Sequence, residues 1–586
     1  MAGQELARGA ILLLAAALLL TAQARALDPT YEDRRLARLL HDEGFERHPR
    51  PEGKLIAFVR VFTRDVLTTD EPWPTFLNAL HWITRESMVR RELLFAVGGR
   101  FRDARSEETM RNLRGLGIFS FVRIVAVRTA SDTQVGVVVL TRDLWSLRLE
   151  QEFSGAGTRF NQLFLQAIER NLLGRNKRFA ANFRLMPISY RIGQRYFDYR
   201  VWGGTLLLSQ RAGLRFHRHS HAFEGGSVEL SLLKPYYNLA QRFSCRLDVS
   251  AYRLIQRNID SHGVRTWDDP ATAAMEAIPV AYDDEGLEIG AAAGLRRGDR
   301  FKQSVSLGVG LSDRNVGFLP EPKLDQRQAR AFAGRFFPRV RRQVFPSLGY
   351  SLWLTRFATL RNLGTFGRSE NVRTGPSVQA RLSLPLRHFG SSTSSMVVRG
   401  FLGWIGASDE ALLELALAGS ARLEDGRAIN QLLDLSVRGA TPPWFFGRLV
   451  ARARVEARRH DTNNTWVTLG AENGLRGYGL RAFYGVGKSR MRFNLEYRTD
   501  PLVLLTVHAG FALFYDAGSL YSTLRNARMR HAAGLGLRLL FPQLNAYVFR
   551  FDLGLPLDRP GIGLLVSFGS SQMITLTAAE DASAAP

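Results

Sequence analysis

The feature that most constrains the fold of this chain is an alternation of apolar and polar residues that recurs between residues 144 and 574. In Arg490–Arg498 every odd-numbered residue is apolar and every even-numbered residue is charged or polar. Similar alternation occurs in Val507–Asp516, Gly534–Leu539 and Tyr547–Leu555. Successive side chains of a β-strand point to opposite faces, so each segment predicts a strand with one apolar and one polar face. Gly, Asn and Asp turns between the segments predict a long antiparallel sheet.

The alternation alone also fits a soluble β-sandwich, and the N-terminus favours a membrane protein. Arg8 and the apolar run Ile11–Thr21 precede the small-x-small sites Ala22–Ala24 and Ala24–Ala26. This is the pattern of a secretory signal peptide, so we expect residues 1–26 to be removed on export. In lipid every backbone polar group must be paired, so an exported sheet of this kind has to close into a transmembrane barrel.

The strand count of the barrel is estimated from the same pattern. About nineteen candidate strands can be marked after residue 144, and bacterial barrels usually have an even number. We therefore expect several candidates to be split or loop strands, and a barrel of about sixteen to eighteen strands. The expected fold class is mainly β, with the barrel at residues 144–574 and a tail at residues 575–586.

A smaller α/β domain is predicted before the barrel. After a charged segment at residues 27–51, expected to be a linker or a short helix, residues 52–143 lack the strict alternation and include helical periodicity. The predicted element order is β-α-α-β-β. The strands are expected at Leu55–Phe62, Phe121–Val127 and Val135–Thr141, and the helices at Phe76–Phe95 and Glu107–Leu116.

The composition disfavours several partners and activities. The net charge is +25, but the basic residues, only six of them lysines, are spread along the chain rather than gathered in one patch. Anionic lipid or lipopolysaccharide is therefore the expected partner of the basic surface, and nucleic acid is not. Neither G-x-S-x-G nor H-E-x-x-H occurs. The alternating His217, His219 and His221 are crowded by arginines, which disfavours a metal site. We expect no enzyme activity, cofactor or metal.

One glycine-rich cluster, Leu469–Gly479, precedes an alternating strand and contains a single arginine, Arg476. A segment with so little side-chain bulk can approach a wall closely. Inside a barrel the charge of Arg476 would require a carboxylate, and Glu496, Asp516 and Asp552 lie on the polar faces of predicted strands. The alternative is an exposed loop with an ordinary surface arginine, and the spacing leaves both open.

These motifs carry a family resemblance. Leu475–Tyr478 (LRGY) resembles the (V/L/I)-R-G-(F/Y) motif of the Omp85 superfamily, the outer-membrane barrels of the BamA, TamA and surface antigen D15 type. Phe514–Gly518 resembles its F-x-D-x-G motif, and Glu169–Gly174 is similar to an early barrel segment. The small α/β domain resembles a single POTRA domain. The resemblance covers nearly all of the chain after the signal peptide.

The resemblance implies a sixteen-stranded barrel in the bacterial outer membrane, with the POTRA-like domain in the periplasm. It implies that the motif loop folds back into the barrel and that Arg476 pairs with Asp516. The implied site comprises the loop residues Gly474, Leu475, Arg476, Gly477 and Tyr478 and the wall residues Asp516, Glu496, Asp552, Phe514 and Gly518.

The implied role is insertion or translocation of unfolded outer-membrane or secreted proteins. Clients would bind the POTRA-like domain by strand addition and enter at a short junction between the first and last strands. A dedicated transporter of lipid or of one secreted partner, and a plain channel or structural barrel, remain open alternatives. The chain departs from the family in having one POTRA-like unit, no terminal aromatic residue and a long insertion at Gly317–Arg342, expected to be an extracellular loop.

Overall fold

The computed structural model comprises an N-terminal domain and a closed β-barrel. The predicted signal peptide, residues 1–26, lies outside the described residues, as does the end of the tail. The structure describes residues 31–67, 75–156, 159–236, 238–260, 263–272, 276–366, 369–408, 410–479, 481–504, 507–541, 548–558, 563–569 and 572–576.

The N-terminal domain is a three-stranded sheet with helices on both faces. Strand β3 is central, parallel to β1 and antiparallel to β2. The elements are α1 Tyr31–Asp42, β1 Leu55–Arg64, a 3-10 turn at Thr75–Leu80, α2 Glu86–Glu92, α3 Asp103–Gly115, β2 Phe119–Val127 and β3 Gln134–Asp143.

Two apolar cores lie on the two sides of this sheet. Val135, Val137 and Val139 of β3 pack in the core that also contains residues of α2 and α3. Val138 and Leu140, which point to the opposite face, pack in the core formed with α1. Both faces of the strand are covered, which explains its nearly continuous apolar sequence.

Residues 27–51, expected to be a linker or a short helix, contain α1, which buries Leu36, Leu39 and Leu40 against the sheet. One expectation for this domain is wrong. The predicted helix Phe76–Phe95 is broken: the chain is non-helical between the 3-10 turn and α2. Tertiary contacts determine this break, since the Thr84 N–H donates a 2.6 Å hydrogen bond to Asp143 Oδ2.

The barrel region contains one further helix, α4 Gln326–Phe336, and short 3-10 turns at Leu172–Gly174, Val201–Gly203, Arg387–Phe389, Ala471–Asn473 and Leu524–Asn526. Its strands are β4 Leu147–Ala156, β5 Arg159–Glu169, β6 Lys177–Leu185, β7 Ser189–Asp198, β8 Leu207–His217, β9 Phe223–Lys234, β10 Phe243–Arg257, β11 Ile259–Asp260, β12 Gly263–Val264, β13 Thr266–Trp267, β14 Ile278–Pro279, β15 Ala281–Arg297, β16 Phe301–Gly317, β17 Gln343–Leu354, β18 Arg356–Arg361, β19 Ser369–Ser383, β20 Ser395–Ser408, β21 Ala411–Glu424, β22 Arg427–Ala440, β23 Gly447–Arg459, β24 Trp466–Leu469, β25 Phe483–Val486, β26 Ser489–Thr499, β27 Leu502–Leu504, β28 Val507–Tyr521, β29 Arg530–Leu540, β30 Phe549–Pro556 and β31 Leu565–Gly569.

Within the described residues the barrel wall has twenty strand positions. Strands β18 and β27 continue β17 and β26 along the same neighbours, β19 and β28, so each pair occupies one position. The estimate of sixteen to eighteen strands is therefore wrong. The estimate assumed that several candidate strands were split strands or loop strands. Strands with weak alternation, such as the arginine-rich β7 and β8, nevertheless pair along their length, because the lumen accepts polar side chains.

The apolar faces of the strands point outward. On β26, Leu495 is 43% exposed, whereas its neighbour Glu496 is fully buried on the inner side. Leu513 and Leu553 are likewise exposed, while Asp516 and Asp552 are buried. An apolar exterior around a polar interior is the pattern of a transmembrane barrel. Among the described residues, none of the helices has the length and apolar character needed to cross a bilayer.

The barrel closes at a seam, the junction between its first and last strands, β4 and β31. Within the described residues two pairs form it, Ser154 with Ser567 and Phe153 with Phe568. Strand β4 pairs with β5 along its whole length, so the weak junction lies on its other edge. The resemblance implied a short seam, and the strand pairing has this form.

The insertion at Gly317–Arg342 is folded rather than extended. It contains α4, which begins at an Asp325 cap whose side chain accepts a hydrogen bond from the Gln328 N–H. Phe332 and Phe336 of α4 pack with Trp267 of the β10–β15 connection. The strands alternate in direction, so these connections lie at the end of the barrel opposite the N-terminal domain.

Candidate functional site

The connection between β23 and β26 returns into the barrel and carries the motif loop, Gly474–Tyr478. Leu475 is fully buried and Tyr478 nearly so, in a small core with Leu469 and Ala532 of the wall strand β29. The Tyr478 hydroxyl donates to Asp558 Oδ1 and also lies 3.2 Å from the His531 carbonyl oxygen. The loop is therefore fixed against the inner wall.

Glycines bring the loop backbone onto the wall. Gly474 and Gly477 adopt φ angles of 100° and 89°, in the left-handed region that favours glycine. A Cβ atom on Gly554 of β30 would lie 2.6 Å from the Gly477 backbone nitrogen. Neither Gly477 nor Gly554 can carry a side chain without displacing the loop, so the close approach of the loop to the wall depends on both of these glycines.

The Arg476 side chain lies in this contact and is 2% exposed. Its Nε and Nη2 donate to the two carboxylate oxygens of Asp516 at 2.8 and 2.9 Å. Nη1 donates to Glu496 at 2.5 Å and to Asp552 at 3.3 Å. The three wall carboxylates singled out from strand alternation thus surround one guanidinium. Such buried charges are tolerated because each is paired and hydrogen-bonded.

Two further motif residues occupy different positions. The guanidinium carbon of Arg476 lies 3.7 Å from the centre of the Phe514 ring, a close cation–π contact. That ring packs against Gly534 of β29, where a Cβ atom would lie 2.4 Å from it. Gly518 instead lies beside Leu469, with a Cβ position 3.2 Å from its methyl groups. Phe514 contacts the arginine, whereas Gly518 makes room for the start of the loop segment.

The structure adds residues that sequence analysis did not assign to the site. Arg498 donates to Glu496 at 2.7 Å, and Arg538 and Arg550 each donate to Asp552 at 2.7 Å. Asn494 donates to Asp516 Oδ1 and to the Gly474 carbonyl oxygen. All four lie on polar faces of alternating strands, so the alternation locates them on the inner wall. It does not indicate which of them meet across it.

The cluster holds the loop through one connected network. Its four arginines, Arg476, Arg498, Arg538 and Arg550, pair with its three carboxylates, Glu496, Asp516 and Asp552. Within the described residues no group of three or more His, Cys, Asp or Glu side chains is arranged to hold a metal ion, and this includes the three alternating histidines. The arrangement is suited to locking a loop inside a barrel.

The N-terminal domain docks on the barrel through the turns at one end. Arg85 N–H donates to the Gly174 carbonyl oxygen at 3.1 Å, and Asn171 Nδ2 donates to Thr84 Oγ1 at 2.8 Å. Both barrel residues belong to the Glu169–Gly174 segment singled out in the sequence. In the β7–β8 turn, Arg200 donates to Glu92 Oε1 through Nε and Nη2, at 3.0 and 2.6 Å.

A second polar region, the arginine cavity, lies inside the wall near the other end. Arg191 is directly opposite Arg215 on adjacent strands, and Arg195 is opposite Arg211. Like charges so placed repel. The cavity has a volume of about 330 Å³ and is lined by seven arginines and two glutamates: Arg184, Arg191, Arg195, Arg211, Arg215, Arg257, Arg481, Glu224 and Glu229.

Comparison with known proteins gives structural likenesses only. No protein-family model matches the chain, and no curated protein matches it. It is similar to CdiB from Acinetobacter baumannii, at 12% identity over 88% of this chain and 73% of that one, with a TM-score of 0.43. BamA from Haemophilus ducreyi lacking POTRA domains 1–3 matches at 12% identity over 94% and 95%, with a TM-score of 0.35. CdiB from Escherichia coli matches at 14% over 90% and 80%, with a TM-score of 0.39.

These TM-scores lie below 0.5, so the description of the chain as a closed barrel with an inner loop rests on its own strand pairing and buried contacts.

Proposed function

We propose that this chain is an outer-membrane barrel of the Omp85 type that inserts or translocates polypeptides without catalysing a covalent reaction. In this proposal the N-terminal domain acts as a POTRA-like domain on the periplasmic side. The observation that carries the proposal is the motif loop held inside the barrel by Arg476 and its three carboxylates. A plain pore needs no such loop, because a side-chain network on the wall suffices to line a channel.

The seam supports the same role. Among the described residues, two of the ten residues of β4 pair with β31, so the described part of β31 uses little of the β4 edge in closing the barrel. An unpaired strand edge is a template for another strand, because its N–H and C=O groups can hydrogen-bond an incoming backbone. A client strand could therefore add at the seam at small cost in native pairing. The edge strands β1 and β2 of the N-terminal sheet offer similar templates outside the membrane.

The test is depletion of this protein in its own host, followed by quantitative proteomics of the outer membrane. General assembly predicts a broad fall in barrel proteins before growth is affected. Loss of a single secreted or surface protein would instead indicate a dedicated transporter. An unchanged outer-membrane and secreted proteome would contradict a role in handling polypeptides.

A second candidate, transport of an anionic lipid, is favoured by the arginine cavity. The Nε atoms of Arg195 and Arg215 are buried without a hydrogen-bond partner among the described residues. A phosphate-bearing lipid headgroup would relieve the repulsion between the opposed arginines. In the depletion experiment this candidate predicts a changed lipid composition of the outer leaflet with normal barrel proteins.

A further inference from the structure

The chain after the last strand turns into the barrel. Ile574 and Leu576 are at most 1% exposed, which is unusual for a segment outside any strand or helix. They pack in a core with wall residues that include Leu363, Leu412 and Val450. These wall residues lie where strands begin or connections turn, at the barrel end on which the N-terminal domain docks. The segment Gln572–Leu576, here called the inner tail, therefore occupies that end of the lumen.

Arginines of the wall hold the backbone of the inner tail. Arg498 Nη2 donates to the Ile574 carbonyl oxygen at 2.8 Å, and Arg438 Nη1 donates to the Thr575 carbonyl oxygen at 2.8 Å. Arg538 Nε donates to the Gln572 side-chain oxygen at 2.9 Å. Arg438 Nη1 also lies 3.5 Å from the Thr575 hydroxyl oxygen. Two of these contacts reach main-chain carbonyl groups, which every polypeptide carries. This part of the recognition is independent of sequence.

The apolar contacts add a simple preference. Ile574 and Leu576 are two residues apart, the spacing at which side chains of an extended chain share a face. Thr575 between them is held by its backbone. The inner tail bends at Met573 and Ile574. The site that holds it, here called the tail site, thus accepts a polypeptide segment with apolar residues at alternate positions. This is also the pattern of a transmembrane β-strand.

The tail site also contacts the motif-loop cluster. Arg498, which holds Ile574, donates through Nε to Glu496, and Glu496 accepts from Arg476. Arg538, which holds Gln572, donates to Asp552. The methyl group of Met573 lies 3.4 Å from the position that a Cβ atom on Gly474 would take. Occupancy of the tail site and position of the loop therefore share the same side chains.

We propose that the tail site is a binding site for a polypeptide segment with apolar residues at alternate positions, which the inner tail fills when no such segment is present. On the proposed function, which this inference rests on, that segment belongs to a client. The inner tail is joined to β31 by a short connection, so its effective concentration is high, in the millimolar range for short flexible linkers. A free peptide competes poorly with the inner tail for the tail site. A client strand held at the nearby end of β31 would also be at high effective concentration and could displace the inner tail.

The test uses the full chain with Ile574→Asp and Leu576→Asp, because burying two carboxylates in this apolar core is unfavourable and should release the inner tail. A fluorescent peptide of residues 570–580 is titrated by anisotropy against this variant and against the unaltered chain, both in lipid nanodiscs. We expect the peptide to bind the variant at least about ten-fold more tightly, because the site of the unaltered chain is occupied. A peptide carrying the same two aspartates is the matched control and should not bind either chain.

Equal affinity of the peptide for the two chains, or equal binding of the two peptides, would overturn the proposal. Adding Arg438→Met to the variant distinguishes a polypeptide from a lipid acyl chain, since an acyl chain has no carbonyl for Arg438 to hold. Peptide affinity should fall at least about five-fold with this change; unchanged affinity would show that the site recognises only apolar bulk. The assay contains no client, so its failure is distinct from failure of the depletion experiment. A heat-dependent gel shift verifies that each variant forms the barrel.

Discussion

Arg476 and Asp516 meet through three hydrogen bonds, two from the guanidinium and one from the Arg476 backbone N–H at 3.1 Å. The backbone bond means that the carboxylate fixes the loop as well as the side chain. Glu496 and Asp552 have other arginine partners, whereas within the described residues Asp516 accepts hydrogen bonds from Arg476 and Asn494. The stability of the loop is thus concentrated in one pair.

Replacing Arg476 by Ala should destabilise the barrel by about 3–5 kcal/mol, because it leaves the buried Asp516 carboxylate without its counter-ion. Adding Asp516→Asn should recover part of that loss, since the amide is uncharged and can still accept from the loop backbone. Urea unfolding of the barrel in lipid vesicles measures both variants. A double variant no more stable than Arg476→Ala would show that Asp516 is not the main source of the loss.

Replacing Gly554 by Ala should displace the motif loop while leaving the arginine cluster chemically intact. The added methyl group would meet the Gly477 backbone at 2.6 Å, and overpacking of this kind costs about 1–3 kcal/mol. The matched control is Gly400→Ala on β20, where a Cβ atom meets nothing within 4 Å. Hydrogen exchange over residues 470–479 reports the displacement. Equal protection in the two variants would mean that the close approach does not hold the loop.

Locking the seam should abolish client handling without unfolding the barrel. Ser154→Cys and Ser567→Cys, in a Cys245→Ala background, place a cysteine pair at one of the two registered positions of the seam. Ser209→Cys with Ser231→Cys is the control, a registered pair between β8 and β9. Growth of the host with each variant, with and without reductant, is the readout. If the oxidised seam pair supports normal assembly, opening at the seam is not required.

Breaking the Glu92–Arg200 pair should detach the N-terminal domain. Both side chains are largely buried, with Glu92 3% and Arg200 10% exposed. Arg200→Ala removes this partner from the buried Glu92 carboxylate and should weaken docking of the domain by at most about 3–5 kcal/mol. Glu86→Gln is the control, because the Glu86–Arg90 pair is half-exposed and worth about 0–1 kcal/mol. Limited proteolysis between the domain and β4 should be faster only for Arg200→Ala.

Asp143, the last residue of β3, should make the stability of the N-terminal domain pH-dependent, because its buried carboxylate is bonded to His81 and Thr84 of the same domain. Burial raises the pKa of Asp143 above its ordinary value of 3.8, despite the opposing effect of its hydrogen bonds with His81 and Thr84. The folded state therefore binds the Asp143 proton more tightly than the unfolded state does. Its binding contributes most to the stability of the folded state at low pH, and this contribution decreases as the pH rises from about 4 through the raised pKa. Asp143→Asn should flatten this part of the profile, measured by proteolysis of the domain across pH 4–8. An unchanged profile would contradict a role for Asp143.

Sequence patterning predicts the C-terminal strands closely, because one face of each must be apolar and the other polar. The expected strand Arg490–Arg498 is observed as Ser489–Thr499, and Gly534–Leu539 lies within Arg530–Leu540. The helix predicted over Phe76–Phe95 fails, because the bond from the Thr84 N–H to Asp143 joins residues far apart in the chain. Such a contact between distant residues cannot be predicted from local periodicity.

The candidate site was likewise predictable only in the features that depend on local sequence pattern. Alternation places Glu496, Asp516 and Asp552 on inner faces, but their convergence on Arg476 depends on which strands are neighbours. The inner tail could not be predicted, because Ile574 and Leu576 have the same spacing whether they face lipid or turn inward. The inward path depends on the wall arginines Arg438 and Arg498, which bond the Thr575 and Ile574 carbonyl oxygens and come from distant strands.

The seam also has a consequence for how the barrel forms. Its two pairs join residues at opposite ends of the barrel sequence, whereas the other wall strands pair mainly with sequence neighbours. Closing a long loop costs the most chain entropy, so pairing across the seam is expected to be the last step of folding. The motif loop and inner tail, by contrast, are anchored mainly on strands β22–β30, and can dock before β4 arrives. We therefore expect pulse-labelled hydrogen exchange to show that the amides of the C-terminal strands become protected first, in a folded sheet that has not yet closed into a barrel.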